Sequence, residues 1–185
     1  MPRMQDQFLT SPVAYTREHV EQLRLSISQF GFGIVHDLIA PSVLTVLQEE
    51  SREQFIKARL AEQSAELKFR ANIVSLGCEA RKLLIGREAM SLLSSVFGEE
   101  FLLSDGCSCL TFYKEGDHLG PHLDSPETLC CVTVIVYLIA TSPSPGSPDT
   151  GLVLHVYGQQ MPVDGQPNLI IPTTPGAIVI GRGSK

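Results

Sequence analysis

From Phe101 onward the apolar residues of this chain fall into short runs broken by Gly, Pro, Asp and Ser. A chain of that texture reverses direction every few residues and so builds strands. β-Branched and aromatic residues pack on a pleated surface, and turn formers end each run. The segments CSCLTFYKE, CVTVIVYLIA, GLVLHVYGQ, NLIIPT and AIVIG are read as strands. Between the second and third lies TSPSPGSPDTG, Thr141 to Gly151, which is proline-rich and has no apolar anchor. It reads as a surface loop, too short to link domains.

The preceding part, about 16–98, is read as mainly helical. Val20, Leu23, Ile27 and Phe30 recur at i, i+3, i+7 and i+10, with Thr16 placed as an N-cap and Gly31 as a stop. FGIVHD reads as a short strand. A second helix is expected from Pro41 and Ser42, with a stripe of Leu44, Leu47, Ser51, Phe55 and Ala58. Pro41 suits a first turn, where its missing N–H costs nothing. A third helix, GREAMSLLSSVFG, is expected to bury Ala89, Leu92, Leu93 and Val96 and to end at Gly98. There is no internal repeat and no βαβ alternation. Helices followed by consecutive strands argue for an α+β fold, with N-terminal helices buttressing an antiparallel jelly roll.

The 185 residues, 43% hydrophobic and 18% charged, make one globular domain over 1–185, with a helical part at about 16–98 and a jelly-roll part at about 101–185. A chain of that size buries roughly 70% of its unfolded surface and does not need disulfides. A formal net charge of −6 argues against a nucleic-acid partner, which generally meets a basic surface. The N-terminus lacks the apolar core of a signal peptide, and no apolar window of about 18 residues occurs. A soluble, cytoplasmic protein with no membrane partner is expected. Of the five cysteines, Cys130 and Cys131 sit side by side in an apolar run and are expected to be reduced and buried. Cys107 and Cys109 are expected to share a strand face and pack as small hydrophobes. Neither pair has the CxxC spacing that chelates zinc.

The stretch TFYKEGDHLGPHLDS, Thr111 to Ser125, places His122 and Asp124 two residues apart behind a Gly-Asp turn and a proline. In extended chain, residues i and i+2 project to the same side, so both side chains can address one point. An imidazole and a carboxylate so placed are two of the three ligands of the facial triad that holds iron(II). The same pair is also common on ordinary surface loops. This one stands just past a strand, at the place where a jelly roll opens a cavity. The other histidines read as structural: His155 as a strand residue sharing a face with Val153 and Tyr157, His118 as a polar turn residue, and His19 and His36 as parts of the helical half.

The run YKEGDHLGPHLDS, followed by VTVIVYLIA, GLVLHVYG and IIPTTPGAIVIG, resembles the iron(II)/2-oxoglutarate-dependent dioxygenases, in their prolyl-4-hydroxylase-like branch. Upstream, FGFGIVHDLIAPSVLTVLQEE is similar to the entry strand and helix of that branch, so the likeness covers roughly Phe30 to Gly181. It implies a double-stranded β-helix, the jelly roll of the family, flanked by helices. It also implies that His122 and Asp124 are iron ligands and that Tyr113 touches the cosubstrate 2-oxoglutarate. GLVL, Gly151 to Leu154, matches the strand after the variable loop, and PGAIVI, Pro175 to Ile180, the strand leading to the distal histidine.

The implied activity is hydroxylation of an unactivated C–H bond in an amino acid, a peptidyl side chain or a small metabolite. Molecular oxygen and 2-oxoglutarate would be consumed and succinate formed. No catalytic residue beyond the metal ligands is implied. Asp124 favours hydroxylation, desaturation or cyclisation over chlorination, because halogenases of the family lack this carboxylate. The family's third ligand, a histidine, and the Arg or Lys that pairs with 2-oxoglutarate both follow the PGAIVI strand, at positions beyond Lys185. The jelly roll is therefore expected to be incomplete at the C-terminus, with both residues supplied by a longer chain; Arg182 and Lys185 precede the place of the basic partner. Two other classes stay open: a jelly-roll binding domain without catalysis, and a cupin-like metalloenzyme, whose usual two histidines and glutamate in a first motif are not seen.

Overall fold

The computed structural model describes residues 12–63, 68–120, 131–139, 153–156 and 169–183. Helix α1 spans Arg17–Phe30. Its start is a reciprocal cap: the Thr16 hydroxyl accepts the His19 N–H, and His19 Nδ1 accepts the Thr16 N–H at 3.0 Å. Two amide groups that a helix start leaves unpaired are thereby satisfied. The helix stops at Gly31, whose φ of 81° is the left-handed conformation a side chain resists. Val20, Leu23 and Ile27 face inward, but Phe30 is 67% exposed, a correction to the expected stripe. Ten residues on from Val20 the helix has turned about 80° short of a full revolution, which carries Phe30 off the apolar face.

Strand β1, Phe32–Val35, leads to α2, Pro41–Phe55, with proline in the first turn as expected. Leu47 and Ser51 are buried on α2, whereas Ala58 lies beyond its end. Next comes a departure from the expected helical half: β2, Arg59–Gln63, and β3, Phe69–Ser75, pair antiparallel, with Ala61 opposite Ala71. A further helix also missing from the sequence reading, α3 at Cys78–Ile85, precedes α4 at Arg87–Phe97, which ends at Gly98 as expected. On α4, Leu92 and Val96 are buried and Ala89 and Leu93 partly so. The order is therefore mixed rather than helices first and strands second.

The later strands are β4 (Cys109–Phe112), β5 (His118–Leu119), β6 (Val132–Val136), β7 (Val153–Val156), β8 (Leu169–Pro172) and β9 (Ile178–Arg182); all but the two-residue β5, where a turn was expected, fall within or overlap a segment read as a strand. All described pairings are antiparallel. One sheet runs β1-β9-β6, a second β2-β3-β4 with β5 also on β3, and a third is the pair β7-β8. The first sheet joins the beginning of the chain to its last described strand, with Ile34 opposite Val179 and Val134 opposite Ile180.

The core lies between this sheet and the helices. Leu23, Leu38, Leu47 and Ile180 are its largest fully buried side chains. Ile178 and Ile180 of β9 and Val132, Val134 and Val136 of β6 all join it, so the even-numbered positions of both strands face the helical layer. Val179, on the other face, is also only 6% exposed, as befits a central strand covered on both sides. Among the described residues no helix is long and apolar enough to cross a membrane.

Candidate metal and cosubstrate site

Strand alternation decides which side chains can meet. On β6 the face opposite the helices carries Thr133 and Ile135, and pairing continues through the next residue: the Tyr137 N–H donates to Ala177 O at 3.0 Å, and Tyr137 O accepts the Gly176 N–H at 2.7 Å. Tyr137 therefore extends the same face, while Leu138 returns to the core. On β4, Phe112 packs edge to face on Phe55 of α2, with centroids 5.0 Å apart. Cys109 and Thr111 share the opposite side, Sγ to Oγ1 3.5 Å, and Tyr113 follows in the same register.

Two strands from different sheets thus bring Tyr113 and Tyr137 near one another, both partly buried. Burial pushes the Tyr113 hydroxyl above its ordinary value, with lesser contributions from nearby Cys109 and Asp117. Burial also pushes Tyr137 up to about 12, and the neighbouring Tyr113 adds to it. Both phenols keep their protons at neutral pH and remain O–H donors.

The chain leaving Tyr113 is tightly held. Gly116 turns with a φ of 84°. Asp117 caps that turn: Oδ2 accepts the Lys114 N–H at 2.9 Å and Oδ1 accepts the Arg70 Nε–H at 3.1 Å, with the carboxylate side chain 5% exposed. The Lys114 amide and then Arg70 hold the Asp117 carboxyl below its ordinary value, against an opposing effect of desolvation. Beyond it β5 pairs with β3, and the Gly120 N–H donates to Lys68 O at 2.7 Å. The backbone is therefore anchored to within two residues of His122.

His122 and Asp124 themselves lie outside the described residues, as do Cys130 and the Thr141 to Gly151 loop. His155 stands on β7 opposite Ile170, and its side chain is also outside the described set. His118 is exposed at the start of β5, opposite Arg70, with Nδ1 3.3 Å from Gly116 O, so it is a strand residue and not the turn residue expected. His19 caps α1, and His36 Nδ1 is 3.4 Å from the Thr174 hydroxyl. Among the described residues no three His, Cys, Asp or Glu side chains converge on a metal position. Cys107, Cys109 and Cys131 are exposed free thiols, which corrects the expectation that they pack inside. At Cys107 the chain is a turn rather than a strand, and Cys109 and Thr111 lie on the open face of β4.

Each of these protonated phenols is, by its chemistry, a hydrogen-bond donor suited to a carboxylate. Tyr137 was not among the residues singled out from sequence. Its only signal was its position two residues after Ile135, on the β6 parity that faces away from the helices.

No protein-family model matches the chain, and no curated protein matches it by sequence. Among solved structures it is similar to a prolyl hydroxylase from Trichoplax adhaerens, in complex with a hypoxia inducible factor oxygen degradation domain peptide fragment. The likeness covers 90% of this chain and 79% of that one, with a TM-score of 0.60 and 19% sequence identity. At that identity what is shared is the fold, an α+β arrangement of helices and antiparallel sheets.

Proposed function

We propose that this chain is an iron(II)/2-oxoglutarate-dependent oxygenase domain that hydroxylates a C–H bond. The observation that carries the reading is the fold likeness to a prolyl hydroxylase over nine-tenths of the chain. Its β1-β9-β6 and β2-β3-β4 sheets are then the two walls of a double-stranded β-helix, and the face bearing Tyr113 and Tyr137 is its interior. His122 and Asp124 would hold iron(II), just past the anchored turn. When bound, the metal with 2-oxoglutarate and molecular oxygen supplies the oxidising power for C–H hydroxylation.

The chain's own residues have narrower tasks. Tyr113 would donate a hydrogen bond to the cosubstrate's carboxylate, and Tyr137, from the other sheet, would orient Tyr113. The Asp117–Arg70 pair fixes the backbone that delivers His122. Of the three substrate classes, a peptidyl side chain is favoured, since the solved prolyl hydroxylase holds a peptide. The test is anaerobic titration of the protein with iron(II) and 2-oxoglutarate, followed by calorimetry and by the visible charge-transfer absorption of the ternary complex. Saturable binding lost in Asp124→Ala supports the reading. Absence of metal binding, or binding indifferent to both His122 and Asp124, would refute it.

A further inference from the structure

On the helical side of the β1-β9-β6 sheet, α1, α4 and the end of β9 enclose a groove of about 450 Å³ lined by Arg24, Ile27, Ser28, Val96, Phe97 and Arg182. That volume is in the range of small-molecule sites. Arg182 follows the parity of Ile178 and Ile180, so it projects toward the helices and away from the face of Tyr137. Its guanidinium lies over the Phe97 ring, 5.6 Å from the centroid. Arg24 is fixed from the other side: its Nε–H donates to Val96 O at 3.3 Å and Nη2 donates to Ser95 O at the C-terminal turn of α4.

Helix capping accounts for part of Arg24 and ring stacking for part of Arg182. Neither exhausts five N–H donors. The charge pattern makes the remainder significant. The chain carries 20 acidic against 14 basic residues, and among the described residues Arg17, Arg70, Arg81 and Arg87 contact a carboxylate, whereas Arg24, Arg52, Arg59 and Arg182 do not. Among the described residues no carboxylate is within ion-pair distance of Arg24 or Arg182, although they share one groove. Ile27, Val96 and Phe97 give that groove an apolar wall, and Ser28 adds a hydroxyl.

We infer that this groove binds a small organic anion, a carboxylate or phosphate monoester carried on an apolar body. The anionic head sits between the two guanidinium groups, which recognise planar or tetrahedral oxyanions through paired N–H donors, and the body lies against Phe97. The inference does not depend on the oxygenase reading, because the site uses the opposite face of the sheet.

Phenyl phosphate, benzoate and inorganic phosphate serve as probes, titrated into the protein at low salt and followed by amide chemical shifts. Saturable binding of either aromatic anion is expected, with shifts centred on Arg24, Ser28, Phe97 and Arg182, and whichever of the two binds tighter identifies the head group. Arg182→Gln should weaken it by about 10-fold or more, in line with loss of a charge-assisted hydrogen bond. Ser28→Glu, which leaves both arginines in place and adds a competing carboxylate from exposed helix surface, should abolish it. Circular dichroism melting of both variants confirms that the fold is kept. Failure of both aromatic probes to saturate, an affinity unchanged in Ser28→Glu, or inorganic phosphate binding as tightly as phenyl phosphate would overturn the site.

Discussion

Gly77 lies directly against the carboxylate of Glu50. Glu50, on α2, reaches across to the start of α3, where Oε1 accepts the Glu79 N–H at 2.7 Å and Oε2 accepts the Ala80 N–H at 2.9 Å. The N-cap position of α3 is Gly77 itself, which has no side chain to cap with, so a carboxylate from another helix does that work. A Cβ at Gly77 would collide with the Glu50 carboxyl carbon and both its oxygens. The backbone there has a φ of −74°, which any residue adopts, so the demand for glycine is one of space alone.

Glu50→Ala should therefore cost about 1–2 kcal/mol, the usual loss of a helix cap. Gly77→Ala should destabilise by a similar amount, because it expels the same carboxylate. The double variant should cost clearly less than the sum of the two, since one interaction is removed twice. Urea melts of the four proteins check this. Full additivity would show that Glu50 is not the group Gly77 accommodates.

For the proposed iron ligands, His122→Ala and Asp124→Ala are each expected to lower iron(II) affinity by well over the roughly 10 to 100-fold seen when only an outer partner of a ligand is removed. The melting temperature without metal should stay close to that of the parent, because the described core is built from the helices and the β1-β9-β6 sheet. Calorimetric titration measures the first quantity and a thermal melt the second. A large drop in metal-free stability would assign the pair a structural role.

Much of this architecture was legible in local chemistry, and what was not has a physical reason. Helix α1 was readable because Thr16, Gly31 and the inward Val20, Leu23 and Ile27 agree with one another. Five of the six later strands were readable from β-branched runs between turn formers; the two-residue β5 was not. Strand β2 was not: RLAEQ is exposed at four of its five positions, has no apolar alternation, and is a strand because β3 pairs with it. In β3 the alternation of Phe69, Ala71 and Ile73 was present, and Ala71 is fully buried, but the segment stood between two helical patterns. At the candidate site Tyr113 belonged to a recognisable motif. Tyr137 did not, because its nearness to Tyr113 is made by two sheets meeting and has no counterpart in spacing along the chain.

The two phenols give a pH signature. Tyr137 holds its proton up to about 12 in the folded chain, against about 10 for a free tyrosine. Between those values the unfolded chain has released a proton that the folded chain keeps, so the stability contributed by the neutral buried phenol is complete below pH 10 and is lost as pH rises through 12. Tyr137→Phe should flatten the fall of melting temperature across that window. In an ultraviolet titration, the phenolate step near pH 12 should disappear in the same variant. A late phenolate step that survives Tyr137→Phe would place the perturbed group elsewhere.

Asp117 carries the opposite sign. Its carboxyl is held below the ordinary value by the Lys114 amide and by Arg70, so the stability it contributes is present above about pH 4 and is lost as pH falls through its depressed folded value. Asp117→Asn keeps the shape and loses the charge, weakening both the turn and the tie to β3. The backbone from His118 to Gly120 should then open more often, which hydrogen exchange at the Gly120 amide reads directly, since that amide is bonded to Lys68 O. If His122 depends on this anchor for its position, iron(II) affinity should fall together with Gly120 protection, and Arg70→Gln should reproduce both effects more mildly because the Lys114 bond remains. Faster exchange at Gly120 with unchanged metal affinity would separate the turn from the site.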